Sequence, residues 1–268
     1  MKRAAVLGHP IQHSLSPAIH NAAYKRLGIE AKYSAEQVGS DALDDYLAHQ
    51  LKESEWIGFS LTMPLKEVLC SLVEKFNIHI DPTAERINSA NTLYLKNASW
   101  HACSTDVGGF AYVLRNREMS TVSILGSGGT ARAAIEALPN DASVNIYRRS
   151  TNRDAFIHSA FSDKRIVFKD LSQVHEAWSS DLVINTVPIS GMSELTSHFE
   201  SPLLLVDALY SPWQPPLTVH QLSAQGEVIT GLDLLCAQAL DQIAFMTGES
   251  FDKDEMFSFL REVVEVTP

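Results

Sequence analysis

The 268-residue sequence predicts an α/β protein of two domains, each built on a mainly parallel sheet. Three observations predict it. The length exceeds what one hydrophobic core usually serves. Short apolar strands alternate with helical segments along the whole chain. A glycine-rich turn, Gly126-Ser127-Gly128-Gly129, then restarts the pattern near the middle.

The first half reads as strand 4–7, a helix from Pro17, strand 32–38, helix 42–51, strand 57–61 and a helix after Pro64. Two short strands follow at 92–95 and 100–103. The helix from Pro17 carries its own boundary signals: Ser16 suits the N-cap, Pro17 the first helical position and Gly28 the residue past the end. Ile19, Ala22, Ala23 and Leu27 give it one apolar face. The second half runs through strands 121–125, 144–147, 166–168, 182–185, 203–207 and 228–229, most of them separated by helices. Two helices, 232–247 and 254–264, close the chain with no strand after them. Boundaries near Thr105 and Leu235 divide the chain into residues 1–105, 106–235 and 236–268. On this reading the final helices pack back on the first domain. There are no internal repeats and no low-complexity linkers.

Hydrophobic residues make up 45% and charged residues 20%, the balance of a soluble globular protein. The net charge of −11 argues against general affinity for nucleic acid or an anionic membrane surface, and leaves room for a small anion held by local cations. No apolar run approaches the roughly 18 residues of a membrane span. Gly8-His9-Pro10 interrupts the first apolar run before a signal-peptide core forms, so a cytoplasmic protein is expected. Three widely spaced cysteines, Cys70, Cys103 and Cys236, do not suggest a disulfide framework. His9 and His13 are separated by a proline and the other histidines are scattered, so no metal is expected.

Gly126-Ser127-Gly128-Gly129-Thr130-Ala131 follows a strand and opens a helix expected at 131–138, as a dinucleotide fingerprint requires. Gly126 permits the tight turn, Gly128 lets the backbone approach a pyrophosphate, and the helix N-terminus offers N–H groups to the phosphates. The second domain is therefore expected to be a Rossmann-type unit. A site for NAD would place Asp or Glu at the end of the next strand. Here that position reads Tyr147-Arg148-Arg149-Ser150, with Arg153 close behind, and guanidinium groups suit a phosphate dianion. The expected cofactor is NADP.

Several polar clusters in the first half lack a simple structural reason. Ser14-Leu15-Ser16 precedes a helix start, where capping alone would explain Ser16. Ser60-Leu61-Thr62-Met63-Pro64-Leu65-Lys66 ends a strand and puts a lysine in a helix's first turn, beside the positive end of its dipole. Asn88-Ser89-Ala90-Asn91-Thr92 precedes a strand, and Ser104-Thr105-Asp106 precedes a helix that Asp106 could merely cap.

In this order the clusters resemble those of shikimate dehydrogenases, over almost the whole chain. The opening run from Gly8 to Pro17, the run through Thr62 and Pro64 to Lys66, Asn91-Thr92-Leu93 and Thr105-Asp106 are similar to that family's motifs. So are the glycine turn, Asn185-Thr186 with Pro188 and Gly191-Met192, and Asp207-Ala208-Leu209-Tyr210 with Pro216-Leu217. Gly231-Leu232-Asp233-Leu234-Leu235 with Gln238-Ala239 completes the set. Ser60, Asn88-Ser89-Ala90 and Ser104 depart from the commonest pattern, which has Asn, Gly-Ala-Val and Asn there.

The resemblance implies an N-terminal substrate domain, an NADP-binding domain and C-terminal helices returning to the first. It also implies reversible reduction of 3-dehydroshikimate to shikimate on the route to chorismate and the aromatic amino acids. Ser14 and Ser16 would hold the substrate carboxylate, with Tyr210 nearby. Thr62, Asn91, Asp106 and Gln238 would bind the ring hydroxyls, and Lys66 and Asp106 would flank the reacting oxygen. Gly126, Gly128, Gly129, Arg148, Arg149, Ser150, Arg153 and Gly231 would hold NADP. Hydride transfer leaves alkoxide charge on the substrate oxygen, which an ammonium can stabilise and protonate, and Asp106 would orient it. A quinate or aminoshikimate dehydrogenase, or a catalytically silent NADP-binding sensor, would share much of this pattern. A monomer or homodimer, with hinge closure over a small-molecule substrate, is expected.

Overall fold

The structure is a computed structural model that describes residues 1–266, Glu194 by its backbone only. It divides into two compact units, one formed by Met1–Gly109 with the chain from Leu235 onward, the other by Phe110–Leu234.

The first unit contains β1 (Lys2–Gly8), α1 (Ser16–Leu27), β2 (Ala31–Gln37), α2 (Leu43–Gln50), β3 (Trp56–Leu61), α3 (Leu65–Leu72), β4 (His79–Ile80), α4 (Pro82–Arg86), β5 (Thr92–Lys96) and β6 (Ser99–Cys103). Its sheet has the order β2-β1-β3-β5-β6-β4. β1 runs parallel to β2 and β3, and β4 parallel to β6, but β5 is antiparallel to both neighbours. The sheet is therefore mixed. The cause is local: Asn97 and Ala98 both take positive φ, 51° and 61°, which makes a two-residue hairpin of β5 and β6. All six residues of β3 are buried, as a central strand covered on both faces requires. On one face Trp56 and Phe59 pack with ring centroids 4.5 Å apart, among Leu7, Leu47, Leu61, Leu65 and Leu93. On the other, Ala4, Val6, Tyr24, Tyr33 and Met246 form a second cluster.

The helix at 16–27 starts one residue earlier than its sequence signals suggest. Ser16 is its first residue rather than its cap; Ser14 Oγ instead accepts from the Ser16 N–H at 3.3 Å. Gly28 closes it with φ 70°, its N–H bonding the Lys25 carbonyl. The short α4 has clear local signals of its own: Asp81 caps it by accepting from Thr83 N at 2.9 Å, and Pro82 opens it.

The second unit is entered along α5 (Thr105–Leu114) and holds β7 (Thr121–Leu125), α6 (Gly129–Ala137), β8 (Ser143–Arg148), α7 (Asp154–Ala160), β9 (Arg165–Asp170), β10 (Leu182–Asn185), α8 (Met192–Thr196), β11 (Leu204–Asp207), α9 (Pro216–Ser223) and β12 (Glu227–Ile229). Its six strands are all parallel, in the order β12-β11-β10-β7-β8-β9. Counted from β7, that is the doubly wound order 3-2-1-4-5-6, with its reversal between β7 and β10. α10 (Gly231–Thr247) leads the chain back to the first unit, where α11 (Lys253–Glu265) follows; Arg26 of α1 lies over the Phe259 ring at 4.6 Å. No helix of the described residues is long and apolar enough to cross a membrane.

Asp181 clamps the starts of β7 and β10. Its carboxylate accepts from Ser120 N at 2.9 Å, Thr121 N at 2.8 Å and Thr121 Oγ1 at 3.0 Å, and the Thr121 and Ser120 amides hold it below the usual carboxylate range. Because the folded group stays ionised at lower pH than the unfolded one, its stabilisation is present above the unfolded value and fades as pH falls. Asp181→Ala should cost about 1–2 kcal/mol in urea denaturation at neutral pH. The gap to the parent protein should close as pH falls below about 4; a gap of constant size through acid would show that the clamp does not depend on the charge.

Candidate active site

Lys66 stands in the first turn of α3, just after the buried strand β3, and Asp106 in the first turn of α5. Their side chains meet, Lys66 Nζ to Asp106 Oδ2 at 2.5 Å, and are only 17% and 10% exposed. Asn91 joins them. The N–H of Ala90 donates to the Lys66 carbonyl at 3.1 Å, the Asn91 N–H to Cys103 O at 3.1 Å, and the Leu61 N–H to Asn91 O at 2.7 Å. The backbone at 90–91 is thus pinned to α3, β3 and β6 at once. Asn91 Nδ2 donates to Asp106 Oδ1 at 2.8 Å and to Gln238 Oε1 at 3.3 Å. Its Oδ1 accepts from the Thr105 N–H at 2.7 Å, so Asn91, not Asp106, satisfies the start of α5. Asp106 is left to face Lys66.

Lys66, Asn91, Asp106 and Gln238 therefore converge from four segments. Thr62 follows β3, its N–H bonded to Leu7 O at 2.9 Å, which sets it beside the end of β1. Ser14 and Ser16 lie on the segment leaving that same end, Ser14 half-buried and Ser16 buried. Among the departures from the common pattern, Ser60 accepts from Tyr33 Oη at 2.6 Å, while Ser89 Oγ and Ser104 Oγ are buried without a hydrogen-bond partner. The described residues contain no group of three or more His, Cys, Asp or Glu that could hold a metal ion. Thr92, His20 and Gln242, all buried, extend this polar cluster beyond what the sequence motifs mark. The available signal was polarity on apolar helix faces: His20 adjoins Ile19 and Ala23 on α1, and Gln242 lies among the apolar residues of α10.

Tyr210 and all the cofactor candidates belong to the second unit, Tyr210 half-buried after β11. The glycine turn sits at the ends of β7 and β10. Gly126 has φ 105°, and a Cβ there would meet Thr186 Oγ1 at 2.5 Å, so only glycine is accommodated. The helix begins at Gly129, two residues before the expected 131, because extended Gly128 (φ −75°, ψ −173°) leads straight into it. Its first intrahelical bond runs from Arg132 N–H to Gly128 O, so the amides of Gly128 and Gly129 precede the ladder. A Cβ on Gly128 would meet nothing within 4 Å, and no acidic residue occupies the first turn. Open space against helix-terminal amides is the cradle a pyrophosphate needs, and the residues fit a dinucleotide. The buried Arg132, whose Nη1 donates to Ser127 O at 3.2 Å, adds a cation behind the turn that the glycine motif does not include.

At the end of β8, Arg148 is paired with Asp154, Nη2 to Oδ2 at 2.6 Å and Nε to Oδ1 at 3.0 Å. This bidentate pair braces the turn and neutralises the nearest acid. Arg149, Ser150 and Arg153 are exposed, and Ser150 Oγ accepts from Asn152 N at 3.3 Å. Arg149 also reaches back over the loop after β10, where its Nη2 stands 2.9 Å from the place of a Cβ on Gly191. Gly231 has its backbone pressed against the Leu209 carbonyl, with no room for a side chain.

The family model for the shikimate dehydrogenase substrate binding domain matches residues 6–93. Among curated proteins, the shikimate dehydrogenase (NADP(+)) of Prochlorococcus marinus strain MIT 9515 is 30% identical, covering 91% of this chain and 91% of its own. Among solved structures, Mycobacterium tuberculosis shikimate dehydrogenase matches with a TM-score of 0.85 at 30% identity, covering 98% of this chain and 100% of its own. The shikimate 5-dehydrogenase of Thermus thermophilus, in complex with NADP(H) and shikimate, matches with a TM-score of 0.77 at 28% identity, over 98% and 100%.

The two glycines of the turn should fail differently. Gly126→Ala is expected to cost about 1–3 kcal/mol in thermal denaturation, from a strained φ and a side-chain clash. Gly128→Ala should leave stability within about 0.5 kcal/mol and still weaken NADPH binding in a fluorescence titration. Unchanged NADPH affinity in Gly128→Ala would mean the open space is not the cradle.

Proposed function

The chain belongs to the shikimate dehydrogenase family, and we propose that it catalyses the reversible NADPH-dependent reduction of 3-dehydroshikimate to shikimate. The observation that carries this reading is the Lys66–Asp106 couple, largely shielded from water and flanked by amides that can bind hydroxyl groups.

NADPH, when bound, supplies the hydride; the protein's own residues must orient the substrate and manage charge and proton. Lys66 Nζ faces the ketone oxygen, stabilises the negative charge that develops there and donates the proton that makes the alcohol. Asp106 accepts from Lys66 at one oxygen and from Asn91 at the other, which fixes the ammonium's direction. Thr62, Asn91, Asp106 and Gln238 bind ring hydroxyls and Ser14 and Ser16 the carboxylate; Tyr210 is a further substrate-binding residue. On the cofactor side, Gly126, Gly128 and Gly129 cradle the pyrophosphate, and Gly231 keeps the backbone close behind the strand ends. Arg149, Ser150 and Arg153 take the adenosine phosphate, while Arg148, held by Asp154, keeps their turn in place. The absence of a free acid at the end of β8 supports NADP over NAD. The net charge of −11 supports an enzyme without general affinity for nucleic acid. We further propose that it is cytoplasmic and a monomer or homodimer.

An absorbance assay of shikimate and quinate, each with NADP and NAD, tests the reading directly. The fastest turnover is expected for shikimate with NADP; no shikimate-dependent NADPH formation would defeat it. Lys66→Ala should lower kcat about 10²–10⁴-fold with a much smaller change in KM. Equal losses in both would make Lys66 a uniform anchor. Arg149→Ala should weaken NADP binding about 10–100-fold and leave NAD binding nearly unchanged. Equal weakening of both cofactors would remove the basis for phosphate recognition.

A further inference from the structure

Behind Asp106 a run of buried polar groups starts at Asn91 and continues through three that the reaction as proposed does not use. Asn91, Thr92, Gln242 and His20 are each no more than 2% exposed. Their contacts form a line: Asn91 Oδ1 to Thr92 Oγ1 at 3.0 Å, Thr92 Oγ1 to Gln242 Nε2 at 3.1 Å, and Gln242 Oε1 to His20 Nε2 at 3.2 Å. Tyr24 Oη approaches His20 Nδ1 at 3.5 Å, and Tyr33 stacks on the imidazole with centroids 4.0 Å apart.

The direction of every bond in this line follows from two groups whose polarity is unambiguous. The Thr105 backbone N–H can only donate, so the Asn91 atom it meets at 2.7 Å is the carbonyl oxygen. The Asn91 amino group is thereby turned toward the Asp106 carboxylate, which can accept it. Thr92 then donates its one hydroxyl proton to Asn91 Oδ1, 3.0 Å away, and offers Gln242 a lone pair. Gln242 therefore turns its amino group to Thr92 and its oxygen to His20. His20 must in turn carry its proton on Nε2, which leaves Nδ1 to accept from Tyr24. Burial pushes His20 down to about 3, so the ring is neutral and has one N–H to give.

We propose that Gln242, oriented by the Nε2–H of His20, is a positioning residue that holds Thr92 and Asn91 in the arrangement presenting Asp106 to Lys66. This rests on the reading of Lys66 and Asp106 as the catalytic couple. All donors in the line point toward the Asp106 carboxylate, so each bond polarises the next in the same sense. Turning the Gln242 amide over would move the His20 proton to Nδ1 and leave Thr92 and Asn91 with facing lone pairs 3.0 Å apart, so the latter contact sets the direction. Gln242 touches no substrate itself and acts on how Asp106 is presented to Lys66, so its loss should appear mainly in kcat, with only a small change in KM passed on through Asn91.

The test compares the whole enzyme with Gln242→Met, which keeps volume and removes both bonds, and with His20→Phe, which keeps the stack on Tyr33 and removes the N–H. Both should lower kcat for shikimate oxidation by about 10-fold, with KM within about twofold. His20→Gln, which restores one N–H donor, should recover kcat to within about threefold of the parent enzyme. A kcat within twofold of the parent in the first two variants would overturn the proposal, and so would a His20→Gln no faster than His20→Phe. Should the variants not fold, nitrogen-15 NMR of the parent protein decides: His20 is expected as the neutral Nε2–H tautomer, and an Nδ1–H tautomer would overturn the chain of donors. Failure of the parent enzyme to oxidise shikimate would sink the activity reading instead, and the tautomer would still be measurable.

Discussion

One ion pair organises the first unit. Lys66 and Asp106 meet at 2.5 Å with little solvent access, and burying two charges is favourable only where their remaining hydrogen-bonding capacity is also met. Asp106 has a second donor in Asn91, and Asn91 is held by its own backbone contacts to three elements. The pair thus depends on Asn91, and Asn91 depends on the strand ends being in register. Satisfying α5 with the Asn91 side chain releases Asp106 from the capping role that its position suggests. Both Asp106 oxygens are then committed within the site, one to Lys66 and one to Asn91.

The second unit solves a different electrostatic problem by backbone geometry. A dianionic or polyanionic ligand can be met by amides at a helix start without introducing a buried charge, provided the backbone comes close. Gly126 makes that approach possible, since its φ of 105° and the nearness of Thr186 exclude any side chain. Side-chain cations are kept for the end of β8. There Arg148 is committed to Asp154, while Arg149 and Arg153 are exposed. Arg149 lies across Gly191, so the basic turn and the loop after β10 share one side chain.

The strands of both units other than the two-residue β4, the glycine turn and the two closing helices were legible because each is a local pattern: alternation, a tight-turn glycine, a proline at a helix start. What local pattern missed is also instructive. The first sheet is mainly parallel, as expected, but β5 reverses within it through a two-residue turn in which Asn97 and Ala98 adopt φ above zero. Ser16 looked like a cap and is instead the first helical residue, since Ser14 supplies the oxygen. Helix starts at 16 and 129 shifted by one or two residues for the same reason, that bond partners of terminal amides lie outside the helix.

By itself, the sequence determined the α/β class, the position of the dinucleotide turn, the missing acid after β8 and the order of polar motifs that places the chain in its family. All of these are properties of residues near one another along the chain. Tertiary structure alone decided which polar groups share protons: that Lys66 faces Asp106 across 40 residues, that Asn91 caps a helix in another segment, and that His20 and Gln242, 222 residues apart, meet behind them. Hydrogen bonds act over about 3 Å of space, and nothing in the linear order of the chain specifies which distant side chains will come within that reach.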